Sequence, residues 1–179
     1  MTKMTKLKAN WSAIEIPLAL LSGMLIVYAA VDMLSLRFNF TPSEPIGVYK
    51  MTPTKTGIHR GDLVEFCYRG STNGLMFPGG CPNGAAPFLK TVAAVAGDLV
   101  VVGDAGVMVN GVMLPHSRPA LQSFSDPSIK LPVLRGRFQL SKGQFWAYGS
   151  GDSEHSFDSR YFGPVNEKDV MSVASKGAL

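Results

Sequence analysis

Between Ile16 and Val31 the chain carries no charged side chain, and the run IPLALLSGMLIVYAAV is almost wholly apolar. Extended to residues 13–36, the stretch reaches the ~20 residues a helix needs to cross bilayer hydrocarbon. Glu15 and Asp32 sit near its ends, within reach of the headgroup zone; at the centre either carboxylate would cost about 3 kcal/mol. Lys3, Lys6 and Lys8 precede the run with no acidic residue before Glu15, a flank that keeps the amino terminus cytoplasmic and exports the remainder of the chain. The pattern predicts a basic cytoplasmic tail over 1–12, an uncleaved transmembrane anchor over 13–36 and an exported domain over 37–179. The alternative is a removable signal peptide, whose apolar core would be only about 7–15 residues long and would end at a small-x-small site. Val27-Tyr28-Ala29 is a weak version of such a site.

Beyond residue 36 the helical period gives way to short β-rich runs punctuated by glycine and proline. Asp62–Phe66 reads as a half-buried strand, and Tyr68–Pro87, rich in Gly, Asn and Pro, as a long loop. Phe88–Val95 is apolar on both faces except at Lys90 and Thr91, and Leu99–Val102 is a further buried strand. Asn110-Gly111 between Val107–Val109 and Val112–Leu114 is a strong hairpin signal. Ser141-Lys142-Gly143 between Arg137–Leu140 and Gln144–Tyr148 reads as a second hairpin. Pro115–Pro132 is irregular, Gly149–Gly163 a polar loop, and Val165–Val173 a returning edge strand. The expected fold is mainly β: a coiled antiparallel domain of about 140 residues, large enough for one core.

Composition sharpens this picture. A charged fraction of 17% in 179 residues falls below the ~25% usual for soluble domains, and the mean hydropathy of +0.14 agrees with a membrane segment. The net charge of +4 is scattered over loop positions such as Lys50, Lys55, Arg69, Arg135 and Arg137. That argues against a nucleic-acid partner and leaves a slight attraction to anionic lipid. Cys67 and Cys81 are the only cysteines. In an oxidising compartment they could pair, closing a loop of ~15 residues for roughly 3 kcal/mol; their spacing matches no metal site. No cofactor or metal is expected.

Two residues stand out chemically. Ser43 lies in Thr41-Pro42-Ser43-Glu44-Pro45-Ile46-Gly47, where two prolines stiffen the chain and Gly47 permits a bend. Lys90 shares a strand face with Phe88 and Val92, and dehydration there lowers a lysine's pKa towards that of a usable base. A serine hydroxyl needs such a base within hydrogen-bond reach. His59, His116 and His155 stand alone, with no His-Glu-x-x-His and no Gly-x-Ser-x-Gly. Taken singly, Ser43 also fits an ordinary turn serine and Lys90 an edge lysine that snorkels to water.

Five boxes in order resemble those of the TraF-type conjugative transfer peptidases, relatives of type I signal peptidases. They are Ser43-Glu44-Pro45-Ile46-Gly47-Val48-Tyr49, Arg60-Gly61-Asp62, Leu89-Lys90-Thr91 through Gly97-Asp98, Val109-Asn110-Gly111, and Gly151-Asp152 with Ser156–Gly163. The set spans nearly the whole domain after residue 36. Glu44 and Thr91 stand where signal peptidases carry a hydrophobic residue and an arginine, which favours the conjugative branch.

The resemblance implies a signal-peptidase/LexA-like fold with one amino-terminal transmembrane helix, in a bacterial inner membrane with a periplasmic catalytic domain. It implies Ser43 as nucleophile and Lys90 as base, kept neutral at neutral pH. Asp158 orders the site with Arg160 or acts in catalysis, Ser156 hydrogen-bonds the lysine, and the Thr41 hydroxyl or the Ser43 N–H stabilises the oxyanion. The implied partners are the bilayer and a membrane-bound pilin precursor or other exported preprotein. Ser43 follows Leu36 by seven residues and so reaches at most about 25 Å from the membrane surface. A general leader peptidase is the alternative within the class, and a non-catalytic membrane-anchored scaffold the alternative outside it. A LexA-like repressor would need a DNA-binding module where the apolar run lies.

Overall fold

The structure is a computed structural model describing residues 12–54, 57–70, 78–151 and 153–176, so the basic tail predicted over 1–12 falls almost wholly outside it. The chain forms two compact units, residues 1–36 and 37–179. The first is built on helix α1, Ser12–Met33, which carries Pro17 near its start. Glu15–Met33 is long and apolar enough to cross a membrane, and none of it is buried. The helix stops short of residue 36, because Leu36–Asn39 is already strand β1.

The second unit holds β2 (Gly47–Pro53), β3 (Leu63–Phe66), β4 (Phe88–Ala94), β5 (Leu99–Gly103), β6 (Gly106–Val109), β7 (Val112–Met113), β8 (Gly136–Gln139), β9 (Gln144–Tyr148), β10 (Val165–Asn166) and β11 (Val170–Lys176). Helix α2, Ser159–Phe162, is one turn long. A seven-stranded sheet runs β1-β2-β11-β3-β4-β9-β10, and a four-stranded sheet runs β7-β6-β5-β8. The pairings described are all antiparallel.

Strand β9 explains why the domain has two cores. Phe145 and Ala147 enter one cluster with Val64, Phe66, Phe88 and Val92. Trp146 and Tyr148, on the opposite face, enter another with Val100, Val102, Val107 and Leu140. Alternate side chains of a strand point to opposite faces, so the uninterrupted Phe-Trp-Ala-Tyr run is the wall between the two. Strand β4 reaches both cores by a bulge: Val92 pairs with Ala147, and Ala94 with Trp146. The extra residue bends the strand and delivers Ala94 to the second cluster.

Two sequence expectations change. β8 and β9 are not a hairpin: β8 pairs with β5 and β9 with β4 and β10. Leu140 exchanges backbone hydrogen bonds with the Gly97-Asp98 turn, so Ser141–Gly143 is a corner where the chain changes sheets. The final run is not an edge strand either. Val165–Asn166 lies at an edge, but β11 pairs with both β2 and β3. Its polar face is tolerated inside the sheet because Ser172 Oγ donates to Glu65 Oε2 at 2.8 Å. The Asn110-Gly111 hairpin forms as expected, both residues at positive φ (49° and 84°), as a primed turn requires.

Trp146 is fully buried. Trp146→Ala is expected to cost about 3–5 kcal/mol, read as a lowered midpoint in unfolding of the purified chain.

Candidate active site

The turn carrying Ser43 is held from three sides. Asn39, at the end of β1, donates through Nδ2 to the carbonyls of Thr41 (2.9 Å), Glu44 (3.0 Å) and Pro45 (3.2 Å). Its Oδ1 accepts from the Thr41 hydroxyl at 2.9 Å. The Tyr49 hydroxyl donates to Pro45 O, which gives the last residue of the Ser-x-Pro-x-Gly-x-Tyr box a structural task. Gly151 N–H donates to Ser43 O at 3.1 Å. A Cβ on Gly151 would lie 2.4 Å from Pro42 O, and one on Gly149 2.9 Å from Ser43 O. Both glycines are there because the backbone of the serine turn passes against them.

Lys90 projects from the middle of β4, opposite Val64 of β3, and is 5% exposed. Its Nζ lies 2.8 Å from Ser43 Oγ. Dehydration pushes the amine down to about 8; the carboxylates of Asp158 and Glu44 oppose that, and the guanidinium groups of Arg160 and Arg37 assist it. The shift runs in the direction a general base needs, and the two carboxylates offset part of the effect of burial.

The other expected residues take supporting places. Asp158 and Arg160 are fully buried and form a two-pronged pair, Arg160 Nε to Oδ1 and Nη2 to Oδ2, both at 2.8 Å. Asp158 also caps α2 through Arg160 N and accepts from Gly149 N at 3.1 Å. None of its described hydrogen bonds reaches Ser43 or Lys90. The Asp158 carboxylate holds the Gly149 segment through the bond from Gly149 N, and its charge favours the ammonium form of Lys90. Ser156 lines the same groove as Ser43 and Lys90, but its buried hydroxyl makes no hydrogen bond among the described residues. The expected bond to the lysine is absent. Thr41 Oγ1 lies 3.4 Å from Ser43 Oγ with Asn39 accepting its proton. Cys67 and Cys81 are joined in a disulfide.

Sequence reading missed Asn39, Gly149 and Ser150 and saw Glu44 only as a departure from pattern. A polar residue such as Asn39, two positions before a stiff turn, was the available signal.

Ser43, Lys90 and Ser156 open onto a groove of about 920 Å³. Apolar side chains, among them Phe38, Phe40, Phe88, Phe124 and Leu131, make up much of its wall. The Ser43 hydroxyl and the buried Lys90 amine thus meet at the wall of an open, largely apolar groove. The chain belongs to the signal peptidase family, peptidase S26, which it matches over residues 8–176.

Among its relatives, "Plasmid transfer protein TraF" of Escherichia coli is 34% identical over 158 residues, 83% of this chain and 86% of that protein. "Probable conjugal transfer protein TraF" of Sinorhizobium fredii is 34% identical over 147 residues, 78% of this chain and 75% of that protein. "Signal peptidase I V" of Bacillus subtilis is 26% identical over 153 residues, 81% of each.

Removing one partner of the Asp158–Arg160 pair strands a buried charge. Asp158→Leu or Arg160→Met alone is expected to cost about 3–5 kcal/mol, and the double substitution less than the sum. Unfolding midpoints of the three variants measure this.

Proposed function

We propose that the chain is a membrane-anchored endopeptidase in which Ser43 and Lys90 form the catalytic dyad, and that it processes the pilin precursor of a conjugation system. The observation that carries the reading is the 2.8 Å contact between Ser43 Oγ and the buried Lys90 Nζ. The likeness to the two TraF proteins supports the conjugative substrate. The apolar helix supports an inner-membrane anchor, and the Cys67–Cys81 bond suits a periplasmic domain.

In this mechanism the neutral Lys90 amine takes the Ser43 proton as Oγ attacks the scissile carbonyl carbon. The resulting ammonium returns the proton to the leaving amine, and an acyl-enzyme remains on Ser43. A second nucleophile, water or a substrate amine, then loses a proton to Lys90 and releases the acyl group. Water gives a trimmed chain; the precursor's own amino terminus gives a ring. The Ser43 N–H, which donates no hydrogen bond among the described residues, suits the oxyanion better than the Thr41 hydroxyl, whose proton is engaged on Asn39.

Co-expression with a candidate precursor, followed by intact-mass analysis, tests the reading. Loss of a carboxy-terminal tail marks hydrolysis, and a product lighter by one further water marks cyclisation. Ser43→Ala and Lys90→Met are each expected to lower processing by about 10⁴-fold or more; unchanged processing by either folded variant would falsify the dyad.

The pH profile gives an independent check. Below a pKa of about 8 the amine holds its proton and cannot act as base. kcat/KM is therefore expected to rise through pH 8, with the value at pH 7 about one-tenth of the plateau. A flat profile from pH 6 to 9 rules out Lys90 as the base.

A further inference from the structure

Ser43 and Lys90 come from segments 47 residues apart, and one side chain ties those segments together. Glu44, beside the nucleophile, is 1% exposed and is absent from the groove wall that Ser43 helps to form. Its Oε1 accepts from Thr91 N at 2.8 Å and from Ser150 N at 3.2 Å. Its Oε2 accepts from Thr91 Oγ1 at 3.1 Å and from Ser150 Oγ. Thr91 follows Lys90 directly, and Ser150 lies between the two glycines that touch the serine turn. A single carboxylate thus links the residue after the nucleophile, the residue after the base, and the segment behind both. A buried carboxylate is stable only when fully hydrogen-bonded, and here four donors meet it.

We propose that Glu44 is a positioning residue of the dyad, locking the Ser43 turn onto β4 and the Gly149–Gly151 segment so that Ser43 Oγ stays in contact with Lys90 Nζ. The inference rests on the peptidase reading above. Its charge has a second effect. With Asp158, it favours the ammonium form of Lys90, against dehydration and the guanidinium groups of Arg160 and Arg37. Geometry and charge can be separated. Glu44→Gln keeps the shape and a carbonyl acceptor for Thr91 N and Ser150 N, while both hydroxyls can accept from its new N–H. Glu44→Leu removes charge and acceptors together.

The test uses the full chain in detergent micelles with ¹³Cε-labelled lysine, the Lys90 signal assigned by its loss in Lys90→Met. NMR titration is run beside steady-state processing of the precursor. In Glu44→Gln the Lys90 midpoint and the acid limb of kcat/KM are both expected to move to lower pH by at least about 0.5 unit. In Glu44→Leu the plateau kcat is expected to fall about 30-fold or more, with KM within about twofold. Glu44→Gln is expected to recover at least about tenfold of that loss.

A merely structural role would lower the unfolding midpoint and leave the acid limb in place. An unmoved Lys90 midpoint and limb in Glu44→Gln, or a wild-type plateau kcat in Glu44→Leu, overturns the inference. If Glu44→Leu does not fold, Glu44→Asp, whose carboxylate is withdrawn by one methylene from Thr91 and Ser150, takes its place, and a wild-type plateau kcat there overturns the inference. The titration needs no turnover. A shifted midpoint in a chain that processes nothing therefore supports the hold of Glu44 on Lys90 and sinks the peptidase reading alone.

Discussion

An amine that loses its water must be compensated or must lose its proton, and the domain after residue 36 is arranged around one such group. Lys90 stands in the middle of β4, between Phe88 and Val92 on its own strand face and across from Val64. Little of its hydration survives there. Water is replaced by a serine hydroxyl on one side and the fields of two buried carboxylates further off. Dehydration alone would release the proton more readily than the structure allows. Glu44 and Asp158 restore part of its affinity, and the balance leaves the amine near 8. Neither carboxylate is idle in its own surroundings, since one is met by Thr91 and Ser150 and the other by Arg160.

The five boxes divide by task when seen in three dimensions. The serine box, the first half of the lysine box and the last box meet at the groove. The remaining ones converge on Asp98. Its carboxylate accepts from Arg60 at 2.6 Å, from Asn110 at 2.8 Å and from Val95 N at 2.8 Å. That cluster pins the turn at which β4 leaves the large sheet and β5 opens the small one. Leu140, where the chain crosses back, is bonded to the same turn. The family pattern thus contains a half that builds the groove and a half that scaffolds it, and residue type alone does not distinguish them.

Much of this was legible in the chain. The apolar helix follows from charge spacing, the Asn110-Gly111 turn from backbone chemistry, and the strands β3 to β6 from short apolar runs. The juxtaposition of Ser43 and Lys90 was legible only through the order of the boxes, because no local period connects residues so far apart. The partner of a strand was not legible. Ser141-Lys142-Gly143 suits a reversal and a corner equally, and the choice falls to Leu140 and Trp146, which fill one core, and to Phe145, which fills the other. The polar residues of β11 suggested an edge, because sequence does not reveal that Ser172 has Glu65 waiting beside it. Glu44 looked like a substitution for a hydrophobic residue; its four donors lie on strands and loops that only the fold brings near.

The shared wall formed by β9 has a consequence for how the domain comes apart. Because Phe145 and Ala147 belong to one cluster while Trp146 and Tyr148 belong to the other, neither core can open and leave its neighbour intact. Lys90 sits one strand away, on β4, which is hydrogen-bonded to that wall. Partial opening that frees the groove from the rest of the molecule is therefore disfavoured. Backbone amides of Phe145 to Tyr148 should be among the slowest to exchange with solvent, doing so only when the entire β unit melts as one.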